Sequence, residues 1–302
     1  MSGKLKEVRE RIRSVKTTQQ TTKAMKMVSA AKLRKAQDAI VKLRPYADGL
    51  QRMLMNIMSN LGSDTGTSYG EFREVKRVLL VPITSNRGLA GAFNTNVNKA
   101  LVERLEEDFM PHYEDGRLDI LPIGKKGRDY FKKRYPKANF IEDHVMLFDD
   151  LHFPQVSEVA QRIMDAFTAG QYDHVEMAYA KFKNAATQYF SSEQFLPVAK
   201  SEVKEDNKDK GTKAFRADYI FEPEKEALLE ELIPSILHTQ FFKYCLDTHA
   251  SEHGARMTAM DKATENAEEI LKDLRINYNK ARQEAITGEI LEIVGGAAAL
   301  EG

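Results

Sequence analysis

Residues 257–285, MTAMDKATENAEEILKDLRINYNKARQEA, carry a mostly apolar or small series at Met257, Met260, Thr264, Ala267, Leu271, Leu274, Tyr278, Ala281 and Ala285. Steps of three and four keep these positions on one face of an α-helix. The series is rich in Ala, so a partner backbone can approach closely, and no Pro or Gly interrupts the run between Gly254 and Gly288. A continuous helix from Glu252 to Leu300 would be about 70 Å long at 1.5 Å per residue, well beyond the diameter of a small domain. The spacing predicts a projecting rod with a helical partner.

That partner is expected at the other end of the chain. Over residues 2–60, Leu5, Val8, Ile12 and Val15 repeat at three and four, and Met25, Val28, Ala31, Leu54, Ile57 and Met58 resume an apolar side. The polar stretch Thr17–Lys23 between them is expected to leave the seam loose, and Pro45 to kink or restart the helix. LGSDTGTSYG at 61–70 reads as a closing loop.

The middle of the chain has a different texture. RVLLVPITS (77–85) is a β-branched apolar run followed by NRGLAGAFNTN and the helical pattern VNKALVERLEEDF: strand, glycine turn, helix. LDILPIG (118–124) leads into the helix start KKGRDYFKK; SEVAQRIMDAFTAG (157–170) reads as a helix, and HVEMAYAKF (174–182) and QYFSSEQFLPV (188–198) as strands. Alternating strands and helices predict a Rossmann-like α/β domain with a mainly parallel sheet. Residues 201–217 mix both charges with almost no apolar side chain and read as a mobile connector; helical pattern returns near Pro223, with a kink expected at Pro234. The fold class is therefore α/β, with a long antiparallel coiled coil of the N- and C-terminal helices standing on a central domain. The expected parts are 1–60, 72–222 and 223–302.

Composition narrows the function. The 302 residues are 42% hydrophobic and balance 45 basic against 45 acidic side chains, as a folded soluble protein does. The single Cys245 allows no intramolecular disulfide. No apolar run of membrane-spanning length is present, and MSGKLKEVRERI goes straight into helical pattern, so no targeting segment is expected. The charge is uneven: residues 1–44 hold 13 Lys and Arg against Glu7, Glu10 and Asp38. Such an end can be a solvated helix face or can meet nucleic acid, anionic lipid or an acidic protein surface.

Three motifs invite chemistry. GLAGAF after the first strand has two glycines at the wrong spacing for a dinucleotide fingerprint, and no phosphate-loop motif is present, so a tight turn is the simpler reading. His249, Glu252 and His253 spell H-x-x-E-H, an inverted zinc-protease pattern without a third ligand in view; the alternative is an exposed helix face. ITGEILEIVGGAAAL, with its nearly uncharged end, is either a frayed tail or a smooth tip held in a socket. No catalytic, cofactor or metal residues emerge. A basic coiled-coil nucleic-acid binder and a nucleotide-dependent enzyme on the α/β domain stay open on these grounds.

Three stretches closely resemble the gamma subunit family of F-type rotary ATP synthases: RIRSVKTTQQTTKAMKMVSAAKLRKAQ (11–37), TSNRGLAGAFNTN (84–96), and ARMTAMDKATENA with YNKARQEAITGEILEIVGGAAAL (255–300). The resemblance extends over essentially the whole chain. It implies a non-catalytic shaft that couples proton-driven rotation of a membrane c ring to ATP synthesis in the beta subunits of an alpha/beta hexamer, and the reverse on hydrolysis. It further implies an epsilon-subunit partner, no nucleic acid or small-molecule substrate, no cofactor, and a peripheral location on the cytoplasmic face of the bacterial inner membrane. By family alignment Lys23, Met25, Lys26, Arg282, Gln283 and Thr287 would meet the beta subunits, and Phe221, Glu222 and Pro223 the c ring. Ala90 departs from the family's frequent Cys in this turn, and the connector lacks the cysteine pair of the chloroplast thiol switch.

Overall fold

The computed structural model describes residues 2–60, 69–70, 72–198 and 225–301. The connector at 201–217, the stretch Phe221–Pro223 and most of the loop expected at 61–70 lie outside the described residues. Two helices dominate: α1 (Ser2–Asn60) and, closing the chain, a helix spanning Lys225–Glu301. Two compact units divide within them, one comprising residues 1–31 with 256–302 and the other residues 32–255.

In the first unit the helices run antiparallel. Lys4 meets Glu284, Arg9 meets Tyr278, Thr22 meets Thr264 and Lys26 meets Asp261, one number falling as the other rises. The seam read from residues 257–285 is the inward face: Met260, Ala267, Leu271, Leu274 and Ala281 are buried, and Met257, Thr264, Tyr278 and Ala285 are half-buried.

The facing side differs from expectation. Leu5, Val8, Ile12, Val15, Gln19, Thr22, Lys26 and Ser29 continue the three-four repeat without a break, with Thr22 and Ser29 buried, so Thr17–Lys23 does not interrupt the seam. Val28, expected inside, is 57% exposed, and Ala31 is exposed as well. Thr22 and Lys26 can hold such positions because each finds a partner: the Thr22 and Thr264 hydroxyls lie 2.8 Å apart, and Lys26 Nζ reaches Asp261 Oδ1 at 2.5 Å. The helix also runs on through Pro45 and does not restart there. Proline removes the hydrogen bond to the carbonyl four residues earlier, and that residue, Val41, is on an open face where water can replace it. The C-terminal helix runs likewise through Pro234.

In the second unit a five-stranded sheet is built from β1 (Val78–Pro82), β2 (Leu118–Ile120), β3 (Asn139–Phe140), β4 (His174–Phe182) and β5 (Gln188–Leu196). The order is β3-β2-β1-β4-β5; the first four strands are parallel and β5 pairs antiparallel with β4. Between the strands lie α2 (Phe93–Arg104), a π-helical turn (Leu105–Phe109), α3 (Met110–Glu114), α4 (Lys125–Arg134) and α5 (Phe153–Thr168); the Lys225–Glu301 helix is α6. Alternation sends Leu79, Val81 and Ile83 to one face, where they pack with α5 and with Leu237, Phe241 and Tyr244 of α6. Val78 and Leu80 face α2, the π turn and Phe131 of α4. Helices on both faces explain why β1 is a continuous apolar run rather than an alternating one.

Candidate functional site

The C-terminal helix sorts its residues by angle. Ala281 and Ala285 lie on the seam, so at 100° per residue Gln283 and Thr287 point away from it, while Arg282, 60° from Ala285, flanks its edge. All three are exposed. Past Gly288 nothing is buried through Ala297, and Ile286, Ile290, Leu291, Ile293 and Val294 are all exposed. A run of large apolar side chains open to water marks an interaction surface. On α1, Lys23 is exposed and makes no ion pair among the described residues, whereas Met25 is half-buried and Lys26 is engaged by Asp261. The six expected beta-subunit contacts therefore differ: Lys23, Arg282, Gln283 and Thr287 are exposed, Met25 is half-buried, and Lys26 is partly used within the helix pair. Sequence reasoning missed the Thr22–Thr264 and Lys26–Asp261 crossings, although the three-four spacing, followed through polar positions, points to them.

The glycine turn after β1 closes on itself. Asn94 Oδ1 accepts from the Ser85 backbone N–H at 3.0 Å and from Ser85 Oγ at 2.9 Å, and Leu89 and Gly91 adopt positive φ. Ser85 and Asn94 thus serve the turn, and Asn86 ties it to Asp149 and to the Lys125 N–H at the start of α4. At the H-x-x-E-H motif, His249 Nε2 and His253 Nε2 lie 3.1 Å apart, a distance bridged by one proton, and Phe148 stacks on His249. Among the described residues no group of three or more His, Cys, Asp or Glu could hold a metal ion.

Two carboxylates in the second unit, the half-buried Glu193 and the buried Asp247, have contrasting surroundings. Glu193 on β5 accepts from Tyr179 at 2.9 Å, Tyr244 at 3.2 Å and Lys181 at 2.9 Å, and these donors hold it below the usual carboxylate range despite burial. Asp247 on α6 is 6% exposed, and burial pushes its carboxyl up from 3.8 to about 6 against the pull of Lys243, Arg44 and Lys181. The folded state thus holds this proton more tightly than the unfolded chain. The contribution is intact below 3.8 and is lost as pH rises to about 6, a step worth about 3 kcal/mol. Asp247→Asn is expected to match the parent in acid and to exceed its stability at neutral pH. Denaturant midpoints at about pH 3.5 and about pH 7.5 check this; a pH-independent difference between the two proteins would refute it.

Known proteins agree with the geometry. The ATP synthase family profile matches residues 4–300. The ATP synthase gamma chain of Cytophaga hutchinsonii is 53% identical over 299 residues, covering 98% of each chain, and that of Flavobacterium psychrophilum is 52% identical with 99% of each covered. The gamma chain of Chloroherpeton thalassium is 44% identical over 98% of each. Among solved structures, a chain of the Euglena gracilis mitochondrial ATP synthase (OSCP, F1 and c-ring, rotational state 3) aligns with a TM-score of 0.68 at 24% identity, over 99% of this chain and 95% of that one. A chain of the Tetrahymena thermophila central stalk and c-ring aligns at 0.54 and 24%, over 80% and 99%. Among the described residues no helix is long and apolar enough to cross a membrane. With near-complete coverage by relatives at 44–53% identity and a family match from residue 4 to residue 300, the chain belongs to the ATP synthase gamma chain family.

Proposed function

We infer that the chain is the central shaft of an F-type ATP synthase. It is not the catalytic subunit. Rotation of a c ring by proton flow turns the shaft, and the shaft's orientation sets the state of each beta subunit in the alpha/beta hexamer in turn; ATP hydrolysis drives the reverse. The parts are the N-terminal helix through residue 60, the α/β domain 72–222 as a foot, and the C-terminal helix 223–302. The epsilon subunit is a further partner, and the location is peripheral, on the cytoplasmic face of the bacterial inner membrane, as bacterial relatives suggest.

The observation that carries this reading is the division of labour on the C-terminal helix. Small and apolar residues are spent on the internal seam, while Arg282, Gln283, Thr287 and the apolar tip are turned outward. A rod turning inside a sleeve cannot keep one interlocking set of contacts, so it needs a tight internal seam and an outer surface with few polar catches. Arg282, Gln283 and Thr287 would be catches for a beta-subunit loop, and Lys23, with Met25 and Lys26 beside it, would face an acidic beta-subunit segment. Phe221, Glu222 and Pro223 would meet the c ring.

Co-expression with the matching alpha and beta subunits tests the reading. The expected result is a complex whose ATPase activity requires this chain and in which a bead attached to the α/β domain turns in three steps. Failure to assemble with well-folded partners, or assembly without rotation, would overturn it.

A further inference from the structure

A shaft has to pass torque between its foot and its rod, and the contacts between the sheet and α6 within the second unit are of two kinds. Most are apolar: Phe241, Tyr244 and Leu237 of α6 lie in the core on that side of the sheet. Apolar contact is non-directional and resists separation far more than sliding. Hydrogen bonds weaken steeply when bent, so they resist sliding.

The directional contacts are concentrated where the sheet runs out. Pairing of β1 with β4 ends at Pro82↔Ala178, and the Ile83 N–H donates to Ala178 O at 2.9 Å. Two residues on, the N–H and C=O of Ala180 point the same way, since backbone groups repeat with period two, but β1 has ended. Leaving both buried and unpaired would be costly. Helix α6 takes the place of the missing strand: Thr248 Oγ1 accepts from the Ala180 N–H at 3.3 Å and Ser251 Oγ donates to Ala180 O at 3.2 Å. Thr248, Ser251 and Ala180 are all fully buried.

One turn further along α6, Gly254 lets the helix close on the β4–β5 hairpin. A Cβ there would lie 3.2 Å from both Cα and O of Ala185. The hairpin itself is stiffened by Asn184 Oδ1, which accepts from the N–H groups of Ala186 and Thr187. One turn earlier, Tyr244 donates to Glu193 on β5. Tyr244, Thr248, Ser251 and Gly254 thus form one stripe of α6, with steps of four, three and three, keyed to the backbone and edge of the sheet.

We propose that this stripe is the joint through which torque passes between the α/β sheet and α6, with Thr248 and Ser251 as its positioning residues. The proposal rests on the shaft reading. Its prediction is local: removing the two hydroxyls loosens the joint against twist while leaving the helix seated by its apolar contacts.

The test uses the assembled complex with a bead on the α/β domain, measuring the angular variance of the bead while the hexamer is stalled. Thr248→Val with Ser251→Ala keeps the volume close to the parent and removes both hydroxyls. Unloaded ATPase activity should stay at the parental level while the variance rises about twofold, as directional contacts are lost and apolar ones kept. Thr248→Ser with Ser251→Thr keeps both hydroxyls and should restore the parental variance, which a mere change of packing would not do. Parental variance in the hydroxyl-free variant would overturn the proposal. Should that variant fail to assemble, Ser251→Ala alone takes its place with an intermediate rise expected, and parental variance there would be equally fatal. A parental complex that does not rotate would instead bring down the shaft reading itself.

Discussion

Gly124→Ala is expected to destabilise the α/β domain by about 3–5 kcal/mol, enough to prevent stable folding of a marginal domain. Gly124 lies just after β2 with φ of +98°, a conformation that L side chains rarely adopt. Its surroundings compound the strain. A Cβ there would sit 2.1 Å from Thr84 O, 2.6 Å from Thr84 C and 2.8 Å from Thr84 Oγ1. Thr84 cannot yield, because it is fully buried and tied on every side. Its N–H donates to Ile123 O at 2.7 Å, its hydroxyl donates to Ile123 O, and the same hydroxyl accepts from the Gly127 N–H at 2.8 Å. The collision is thus with the backbone that continues β1, at a residue hydrogen-bonded to the start of α4. Gly116→Ala is the matched control: its φ is +69°, but nothing lies within 4 Å, so only the backbone cost of about 1 kcal/mol applies. Thermal unfolding of the purified chain separates the two. Similar losses of melting temperature in both variants would show that the Thr84 contact is not tight.

Much of this architecture can be read from residue spacing, and what cannot has identifiable causes. The seam from Met257 to Ala285 is legible because its residues are apolar or small at every step. The opposing seam is only half legible. Gln19, Thr22, Lys26 and Ser29 occupy inward positions that apolar periodicity skips, and the eye passes instead to Met25, Val28 and Ala31. What makes Thr22 and Lys26 acceptable there is a partner more than two hundred residues away, Thr264 or Asp261, and no local pattern contains that information. That Pro45 does not restart the helix has a related reason, since the cost of a proline depends on whether the freed carbonyl can reach water. In the α/β domain the strands announce themselves by composition, but the two-residue β3 and the π turn at Leu105–Phe109 do not. The antiparallel placement of β5 follows from its short link to β4, the five residues 183–187. Of the candidate contacts, Arg282, Gln283 and Thr287 come from resemblance alone, yet the outward direction of Gln283 and Thr287 follows from the seam, which Arg282 flanks. Nothing in their own identities distinguishes them from Arg275 or Lys280, which are exposed on the same helix.

That last ambiguity makes the second large prediction a sharp one. Replacing Arg282 and Gln283 together by Ala is expected to lower the ATPase turnover of the assembled complex about tenfold, the scale of losing one or two well-placed interfacial contacts. Neither side chain is part of the helix pair, whose buried neighbour is Ala281, so the melting temperature of the chain should not change. An Arg is the informative half of the pair. Its planar fork of donors fixes an angle as well as a distance, which suits a catch that must engage at one orientation of a turning shaft and release at the next. The comparison that decides the matter is Arg275→Ala with Lys280→Ala, equally exposed and carrying more positive charge. If turnover depended only on general attraction between a basic shaft and acidic surroundings, the Arg275 and Lys280 variant would be the slower of the two, and both effects would fade with salt. If specific catches matter, the Arg282 and Gln283 variant is slow at every ionic strength and the other stays near the parent. ATPase activity of the Arg282 and Gln283 variant equal to that of the parent, at equal assembly, would remove these residues from the coupling surface. The exposed apolar run from Ile286 to Val294 would then be the remaining candidate on this helix for contact with the hexamer.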